Sequence, residues 1–318
     1  MFNFALKMKT IVLSSETKLA VPCVATIGSF DGVHRGHQLV IRMVLERAQR
    51  LGLSPMVITF DRQPRQLFDP DFRPQLLSTL QEKTVCLQAL GIETLVVLPF
   101  TKEMAALSAE AFMRQVLHQQ LNVKVLLTGY DNRFGHNRSE GFDDYVRYGN
   151  ALDIEVLRGD VELMDGETAV SSTVIRRLLA EGGRVELMPD VLTRYYALSG
   201  RIVAGQHIGH ELGFPTANLE PDDRDKLIPA SGAYAVWATL EGGERLPAMM
   251  NIGMRPTFEG HDRTLEVHIL KEVGDIYGQR LTVEFVSRLR SERRFDSREA
   301  LMAQLRQDRL AVLDLLNR

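Results

Sequence analysis

Two histidines three residues apart, His34 and His37, close the stretch Thr26-Ile-Gly-Ser-Phe-Asp-Gly-Val-His-Arg-Gly-His37. The apolar run Cys23 to Ile27 before it predicts a strand. Val40, Met43, Val44, Arg47, Ala48 and Leu51 after it follow helical spacing. The stretch therefore reads as a strand, a tight turn and a helix start. Gly28 and Gly32 supply permissive backbone at the turn, and Gly36 leaves room at the helix entrance. Unpaired N–H groups and the positive end of the helix dipole make such a place an anion site. Two imidazoles on one side of the first turn can donate hydrogen bonds to phosphate oxygens as negative charge builds there. A polar pair that caps the helix is a second reading. A zinc pair is a third, but no nearby Cys or His cluster offers another ligand.

Four more stretches in the first half carry reactive or binding residue types. Thr59-Phe-Asp-Arg-Gln-Pro64 ends a predicted strand. Thr128-Gly-Tyr-Asp-Asn-Arg-Phe-Gly135 ends another and is followed by Arg138 and Gly141. Val170-Ser-Ser-Thr-Val-Ile-Arg176 sets hydroxyls at a helix start with an arginine one turn on. Hydroxyls and N–H groups can grip a phosphate there, and Arg adds a bidentate fork. Glu82-Lys83 reads as a solvated pair on a helix face.

The second half carries Gly200-Arg-Ile-Val-Ala-Gly-Gln-His-Ile-Gly209, Leu212-Gly-Phe-Pro-Thr-Ala-Asn218 and Pro229-Ala-Ser-Gly-Ala-Tyr234. Asn251-Ile-Gly-Met-Arg-Pro-Thr257 and Leu265-Glu-Val-His268 follow. Gly205 and Gly209 permit close backbone approach to phosphates. Thr216 and Asn218, two apart in an extended segment, place neutral oxygens on one side, where they can complete the shell of a Mg²⁺ ion beside nucleotide phosphates. Glu266 and His268 share a strand face by the same alternation, and a carboxylate at a strand end can take the proton of an attacking hydroxyl. The plainer readings are a Gly-Phe-Pro turn and a rim carboxylate at Glu266.

The elements that must hold these residues alternate through about residue 186. Strands are expected at Val57 to Phe60, Thr94 to Leu98, Val123 to Thr128 and Ile154 to Leu157. Helices are expected at Leu80 to Leu90, from Ala109 to Gln120 with Ser108 as its cap, over 140–151, and from Ser172 or Thr173 to Gly182-Gly183. That alternation predicts an α/β domain, a parallel sheet with helices on both faces and ligands at the carboxyl ends of its strands. After residue 187 come short runs: Tyr196 to Val203, Tyr234 to Leu240, Leu246 to Asn251, Leu265 to Leu270 and Leu281 to Val286. They predict an antiparallel sheet or small barrel. A long closing helix follows, opened by a capping box at Asp296-Ser-Arg-Glu299, with Leu301, Leu305, Val312, Leu313 and Leu316 on its apolar face. The expected division is 1–186, a linker at 187–193, and 194–318.

Composition narrows the function classes. With 318 residues, 45% hydrophobic and 25% charged, the chain resembles an ordinary globular protein of two domains. A net charge of -3 and a pI of about 6.3 point away from nucleic-acid partners. No apolar run reaches membrane-spanning length, so no membrane partner is expected. Cys23 and Cys86, the only two cysteines, sit in apolar contexts that suit a reducing compartment, and a cytoplasmic location is expected. The first residues lack a signal-peptide core, and Met8 is an alternative initiator. Oligomeric state is not legible.

In this order the motifs resemble the prokaryotic riboflavin kinase/FMN adenylyltransferases, the bifunctional FAD synthetases, over nearly the whole chain. The resemblance implies a Rossmann-like nucleotidylyltransferase domain followed by a β-barrel riboflavin kinase domain with a closing helix. It implies that riboflavin and ATP give FMN in the second half, and that FMN and a second ATP give FAD and pyrophosphate in the first. By it, His34 and His37 stabilise the leaving pyrophosphate, and Gly28, Phe30, Asp31 and Gly36 belong to the same motif. Gly129, Asp131, Phe134 and Gly135 border the nucleotide and flavin, and Ser171, Ser172, Thr173 and Arg176 bind ATP. In the second half Gly205, Gly209, Gly213, Phe214, Pro215, Asn251 and Arg255 line the ATP and flavin site. Thr216 and Asn218 hold Mg²⁺ with ATP, and Glu266 is the general base on the ribityl 5′-hydroxyl. The chain departs from the family at Gln63, where His usually precedes the proline, and at His210, where an arginine is common. No Gly-x-x-x-x-Gly-Lys-Ser/Thr occurs, which excludes a P-loop kinase. Two other classes fit the same folds: another cytidylyl- or adenylyltransferase whose barrel binds a regulator, and a flavin-binding protein without catalysis.

Overall fold

The computed structural model of the protein describes residues 8–69, 71–130, 133–136, 139–159, 163–164, 169–203, 216–257 and 260–316. Asp131, Gly205, Gly209, Gly213, Phe214 and Pro215 lie outside the described residues, as does the side chain of Arg255. The chain forms two compact units, one through Ser172 and one from Thr173.

Six parallel strands build the first unit: β1 (Lys9–Val12), β2 (Cys23–Ile27), β3 (Ser54–Phe60), β4 (Thr94–Leu98), β5 (Val123–Thr128) and β6 (Glu155–Arg158). Their order is β1-β4-β3-β2-β5-β6. All of β2 is buried, because both faces of a parallel sheet are covered. Cys23, Ala25 and Ile27 pack in a cluster with Phe112, Met113 and Leu117. Val24 packs instead with Val40, Val44 and Ala48 of α1 (Arg35–Leu51). Each such aliphatic contributes roughly 1.5–3 kcal/mol on burial. The chain direction across the sheet reverses between β2 and β5. The crevice at the carboxyl ends of those two strands is where open parallel sheets take ligands.

The remaining helices are α2 (Pro64–Phe68), α3 (Leu80–Ala89), α4 (Lys102–Ala105), α5 (Ala109–Phe112) and α6 (Phe142–Ala151). Beyond α5 the expected single helix widens into a π-helix over Met113–Gln120, which buries Met113, Val116 and Leu117. β1 was not legible in the sequence. It is an edge strand of four mostly exposed residues, so no buried face marks it.

The second unit holds most of α7 (Ser172–Ala180), a 3₁₀ turn at Val185–Leu187 and α8 (Met188–Leu192). Its six strands are β7 (Tyr196–Val203), β8 (Ala217–Pro221), β9 (Gly232–Leu240), β10 (Arg245–Thr257), β11 (Gly260–Ile269) and β12 (Arg280–Ser291). They close an antiparallel barrel in the order β10-β11-β8-β7-β12-β9. Alternate residues of β7, namely Tyr196, Leu198, Gly200 and Ile202, are buried, as a barrel wall requires. β8 was expected only as an extended segment, since Ala217 and Leu219 are its sole buried side chains.

The closing helix is α9 (Arg298–Leu316), which packs Val312 and Leu316 with Ala235 and Met249. Its cap is one residue later than the sequence suggests. The Ser297 hydroxyl, not Asp296, accepts from the Ala300 N–H at 3.1 Å. The end of α7 is seated in the barrel unit. Ala230 N–H donates to the Leu179 carbonyl at 2.9 Å, and the Arg288 guanidinium donates to the carbonyls of Gly182 at 3.1 Å and Ser231 at 2.6 Å.

Candidate active sites

The turn between β2 and α1 lies at the switch point of the sheet. Phe30 and Val33 adopt positive φ, 47° and 42°, conformations that cost non-glycine residues energy unless their surroundings hold them. Those surroundings are specific. The Asp31 carboxylate, 3% exposed, accepts from Leu77 N–H at 2.9 Å and Ser78 N–H at 3.0 Å. Gly32 N–H donates to the Ser78 hydroxyl at 2.9 Å, and the Ser172 hydroxyl donates to the Asp31 carbonyl at 2.9 Å. Asp31 thus anchors the turn to the chain before α3. Gly36 is favoured by space: a Cβ there would sit a tight 3.1 Å from the Val170 carbonyl and 3.2 Å from His34 Nδ1.

His34 is the N-cap of α1, and its Nδ1 accepts from the His37 N–H at 3.4 Å. With Nδ1 accepting, a neutral ring carries its proton on Nε2, so the opposite edge of His34 is a donor. The two rings stack with centroids 3.6 Å apart, and Phe30 meets His37 edge-on at 5.1 Å. The expected shared side of the helix is therefore present. Burial first, then the charges of His34 and Lys83, push the His37 pKa well below its ordinary value. Among the described residues its Nδ1 is buried without a hydrogen-bond partner, and so is the Thr26 hydroxyl of β2. Orphaned buried polar atoms cost about 1–3 kcal/mol each and point to functional positions.

Lys83 corrects the sequence reading. It is buried at 7% exposure, not solvated, and Glu82 serves the Thr79 capping box of α3. The Lys83 ammonium donates to the Ser29 carbonyl at 2.6 Å and to the Thr59 hydroxyl at 3.2 Å. Burial pulls its pKa down from 10.5 to about 8, against the raising effect of Asp31.

Past β5, Phe134 is buried and stacks on Tyr145 with centroids 4.1 Å apart, and its N–H donates to the Tyr145 hydroxyl at 3.0 Å. Gly135 has φ +94°, and a Cβ there would lie 2.6 Å from the Ala109 nitrogen, so no other residue fits. Gly129 follows β5 directly, and exposed Tyr130 comes next. The Arg158 guanidinium lies 4.3 Å over the Phe142 ring and 5.9 Å from that of Tyr130. Sequence reasoning quoted Lys83 only as a solvated residue and did not single out Tyr145, Phe142 or Arg158; Tyr130 stood within a quoted motif. Ser171 and Arg176 are half-buried and Thr173 is exposed at the start of α7. Gln63 caps α2, its N–H donating to the Gln66 side chain at 2.9 Å.

In the barrel, strand register makes a site the sequence leaves scattered. Glu266 of β11 stands opposite Asn218 of β8 on one side and opposite Asn251 of β10 on the other. Directly opposed residues of antiparallel strands share a face, so the three half-buried side chains form one row. Leu265 and Val267 on either side of Glu266 are buried. Thr216 precedes β8, two residues before Asn218, and His268 is buried two residues beyond Glu266. Among the described residues no group of three or more His, Cys, Asp or Glu is placed to hold a metal ion by itself. A hydroxyl and an amide oxygen suit an ion whose remaining ligands are phosphate oxygens and water.

A helix N-terminus at the switch point of a six-stranded parallel sheet, followed by a closed antiparallel barrel, defines a nucleotidyltransferase-like domain with a second domain. The family model for FAD synthetase matches residues 16–174, and that for riboflavin kinase matches residues 192–316. The bifunctional riboflavin kinase/FMN adenylyltransferase of Escherichia coli (strain K12) is 37% identical over 290 residues, 91% of each chain. Its counterpart from Pseudomonas fluorescens is 38% identical over 287 residues, 90% of each. The chain belongs to the family of bifunctional riboflavin kinase/FMN adenylyltransferases. A solved structure described as a macrolide-efflux protein from Streptococcus pneumoniae shares the fold, with a TM-score of 0.87 and 29% identity over 95% of this chain and 98% of that one. Among the described residues no helix is long and apolar enough to cross a membrane.

Proposed function

We propose that the barrel unit phosphorylates riboflavin with ATP and that the sheet unit adenylylates the resulting FMN, with the residues below in these roles. The observation that carries the first-unit assignment is the His34–His37 stack at the N-terminus of α1, beside a buried ammonium. In adenylyl transfer an FMN phosphate oxygen attacks the α-phosphorus of ATP. The bond to the bridging oxygen breaks, and pyrophosphate leaves. Negative charge grows on that oxygen, and the donor edge of His34, His37 and the positive end of the α1 dipole are suited to stabilise it. Gly28, Phe30, Asp31 and Gly36 keep the turn open. Gly129, Asp131, Phe134 and Gly135 are assigned to the nucleotide and flavin border, and Ser171, Ser172, Thr173 and Arg176 to ATP, on the family resemblance.

In the kinase half the ribityl 5′-hydroxyl attacks the γ-phosphorus and ADP leaves. Glu266 takes the hydroxyl proton, and its place between Asn218 and Asn251 supports that role. Thr216 and Asn218 would hold Mg²⁺, which when bound neutralises charge on the phosphates. Gly205, Gly209, Gly213, Phe214, Pro215 and Arg255 are assigned to ATP and flavin binding by resemblance. The functional division we adopt is 1–186, 187–193 and 194–318, supported by family matches over 16–174 and 192–316. The test is incubation with riboflavin, ATP and Mg²⁺, with flavins separated over time. FMN should appear first and FAD after it. Formation of neither would reject the reading, and FMN alone would confine it to the barrel.

A further inference from the structure

Lys83, the buried ammonium beside the histidine stack, has so far been given no role of its own. It projects from α3 to the base of the turn at residues 28–34, where it donates to the Ser29 carbonyl at 2.6 Å and the Thr59 hydroxyl at 3.2 Å. The Thr59 hydroxyl also donates to the Ser29 carbonyl, at 3.2 Å, so one peptide oxygen is held twice. That oxygen immediately precedes Phe30, the first of the two positive-φ residues. The charged and titratable groups that face Lys83 are Asp31 of the same turn and His37 of α1, with His34 stacked on His37. The Asp31 carboxylate is already engaged by the Leu77 and Ser78 N–H groups. A surface lysine would be hydrated. This one has exchanged water for two protein oxygens near the N-terminal end of α1.

We propose that Lys83 is a positioning residue of the adenylyl-transfer site: its ammonium pins the Ser29 carbonyl, holds the strained turn in register with α1, and adds fixed positive charge beside the histidine pair. The inference deepens the function proposed for the first unit and rests on it. Pinning is geometric and acts on His34, whose cap position depends on the turn. The charge is electrostatic and favours polyphosphate over neutral ligands in a poorly hydrated site. The pH behaviour separates the role from simple structural support. With a folded pKa of about 8 against 10.5 unfolded, the unfolded chain holds more protons between those values, so deprotonation of Lys83 raises stability as pH climbs through that window. A fall of activity in the same window that no fall in melting temperature accompanies is therefore not unfolding.

The test compares the full chain with Lys83→Met and Lys83→Arg, following FAD formation from FMN and ATP, FMN formation from riboflavin and ATP, and calorimetric melting. Lys83→Met should lower kcat for FAD formation about 100-fold or more, in the range seen when one stabilising donor is lost, with kinase turnover unchanged. The unmodified protein should lose FAD-forming kcat above a pH near 8 while melting no lower. Lys83→Arg, charged at every accessible pH, should remove that alkaline limb. FAD formation by Lys83→Met within threefold of the parent overturns the proposal. So does a parent kcat that is flat from neutral pH to about 10, the upper side of the lysine window, and this reading stands even if a variant fails to fold. No FAD from the unmodified protein would instead overturn the function on which the proposal rests.

Discussion

At the first turn of α1, His34 spends Nδ1 on the His37 N–H and keeps Nε2 as a donor, while His37 is held neutral by burial. Replacing either with alanine should cut FAD formation on the order of 100-fold or more and leave FMN formation intact, read from the two half-reactions. FAD formation at the parent rate in both variants would remove the histidines from the chemistry. Burial of His37 also has a stability consequence. Its folded pKa lies below the ordinary 6.5, so below that pH the unfolded chain takes up a proton that the folded one refuses. The contribution is complete above 6.5 and is lost as pH falls toward the folded pKa, with a slope of at most about 1.4 kcal/mol per pH unit. Calorimetry from neutral to acid pH should show the first unit melting lower, and His37→Gln should flatten that decline. The histidine pair was legible because i,i+3 spacing alone sets it on one side of a helix. Lys83 was not, because nothing in Glu82-Lys83 says which of the two faces the sheet.

At the scale of elements, β11 carries the kinase assignment through its neighbours. Glu266→Gln keeps size and one acceptor oxygen, so the row with Asn218 and Asn251 should persist and melting should change little. The kinase rate should fall roughly 100- to 10,000-fold through loss of the basic carboxylate, while supplied FMN is still converted to FAD. Lower melting with near-normal turnover would make Glu266 a structural carboxylate instead. Glu266, Asn218 and Asn251 each stood in a recognisable stretch, yet their alignment depends on β-register between strands far apart in the chain. Local sequence does not encode that pairing. The same limit hid β8, whose polar segment becomes a strand because β7 and β11 flank it.

For the whole molecule, the compact units divide at Ser172 and Thr173, whereas the family matches leave 175–191 between them. That interval is packed as part of the barrel unit: Ile175, Leu179, Val185, Met188 and Val191 are buried, and Arg288 holds the Gly182 carbonyl. Two fragments separate functional from structural boundaries. Residues 173–318 and 194–318 should both make FMN and neither should make FAD. The longer should melt at a clearly higher temperature, since each buried aliphatic it retains contributes about 1.5–3 kcal/mol. Equal melting would mean that 173–193 adds nothing to the barrel.

The alternation of strand and helix, the histidine turn, the barrel texture and the order of the two activities were all determined by the amino-acid sequence. The first three depend on local periodicity, or on short motifs whose chemistry is carried by adjacent residues, and the order of the activities follows from the family resemblance that those motifs carry. The strand order that sets the switch point, the burial of Lys83, the row of Glu266 with two asparagines and the seating of α7 were decided only by tertiary structure. Each depends on which distant segments meet, and that is settled by packing and hydrogen-bond satisfaction over the folded chain rather than by any residue's own preference.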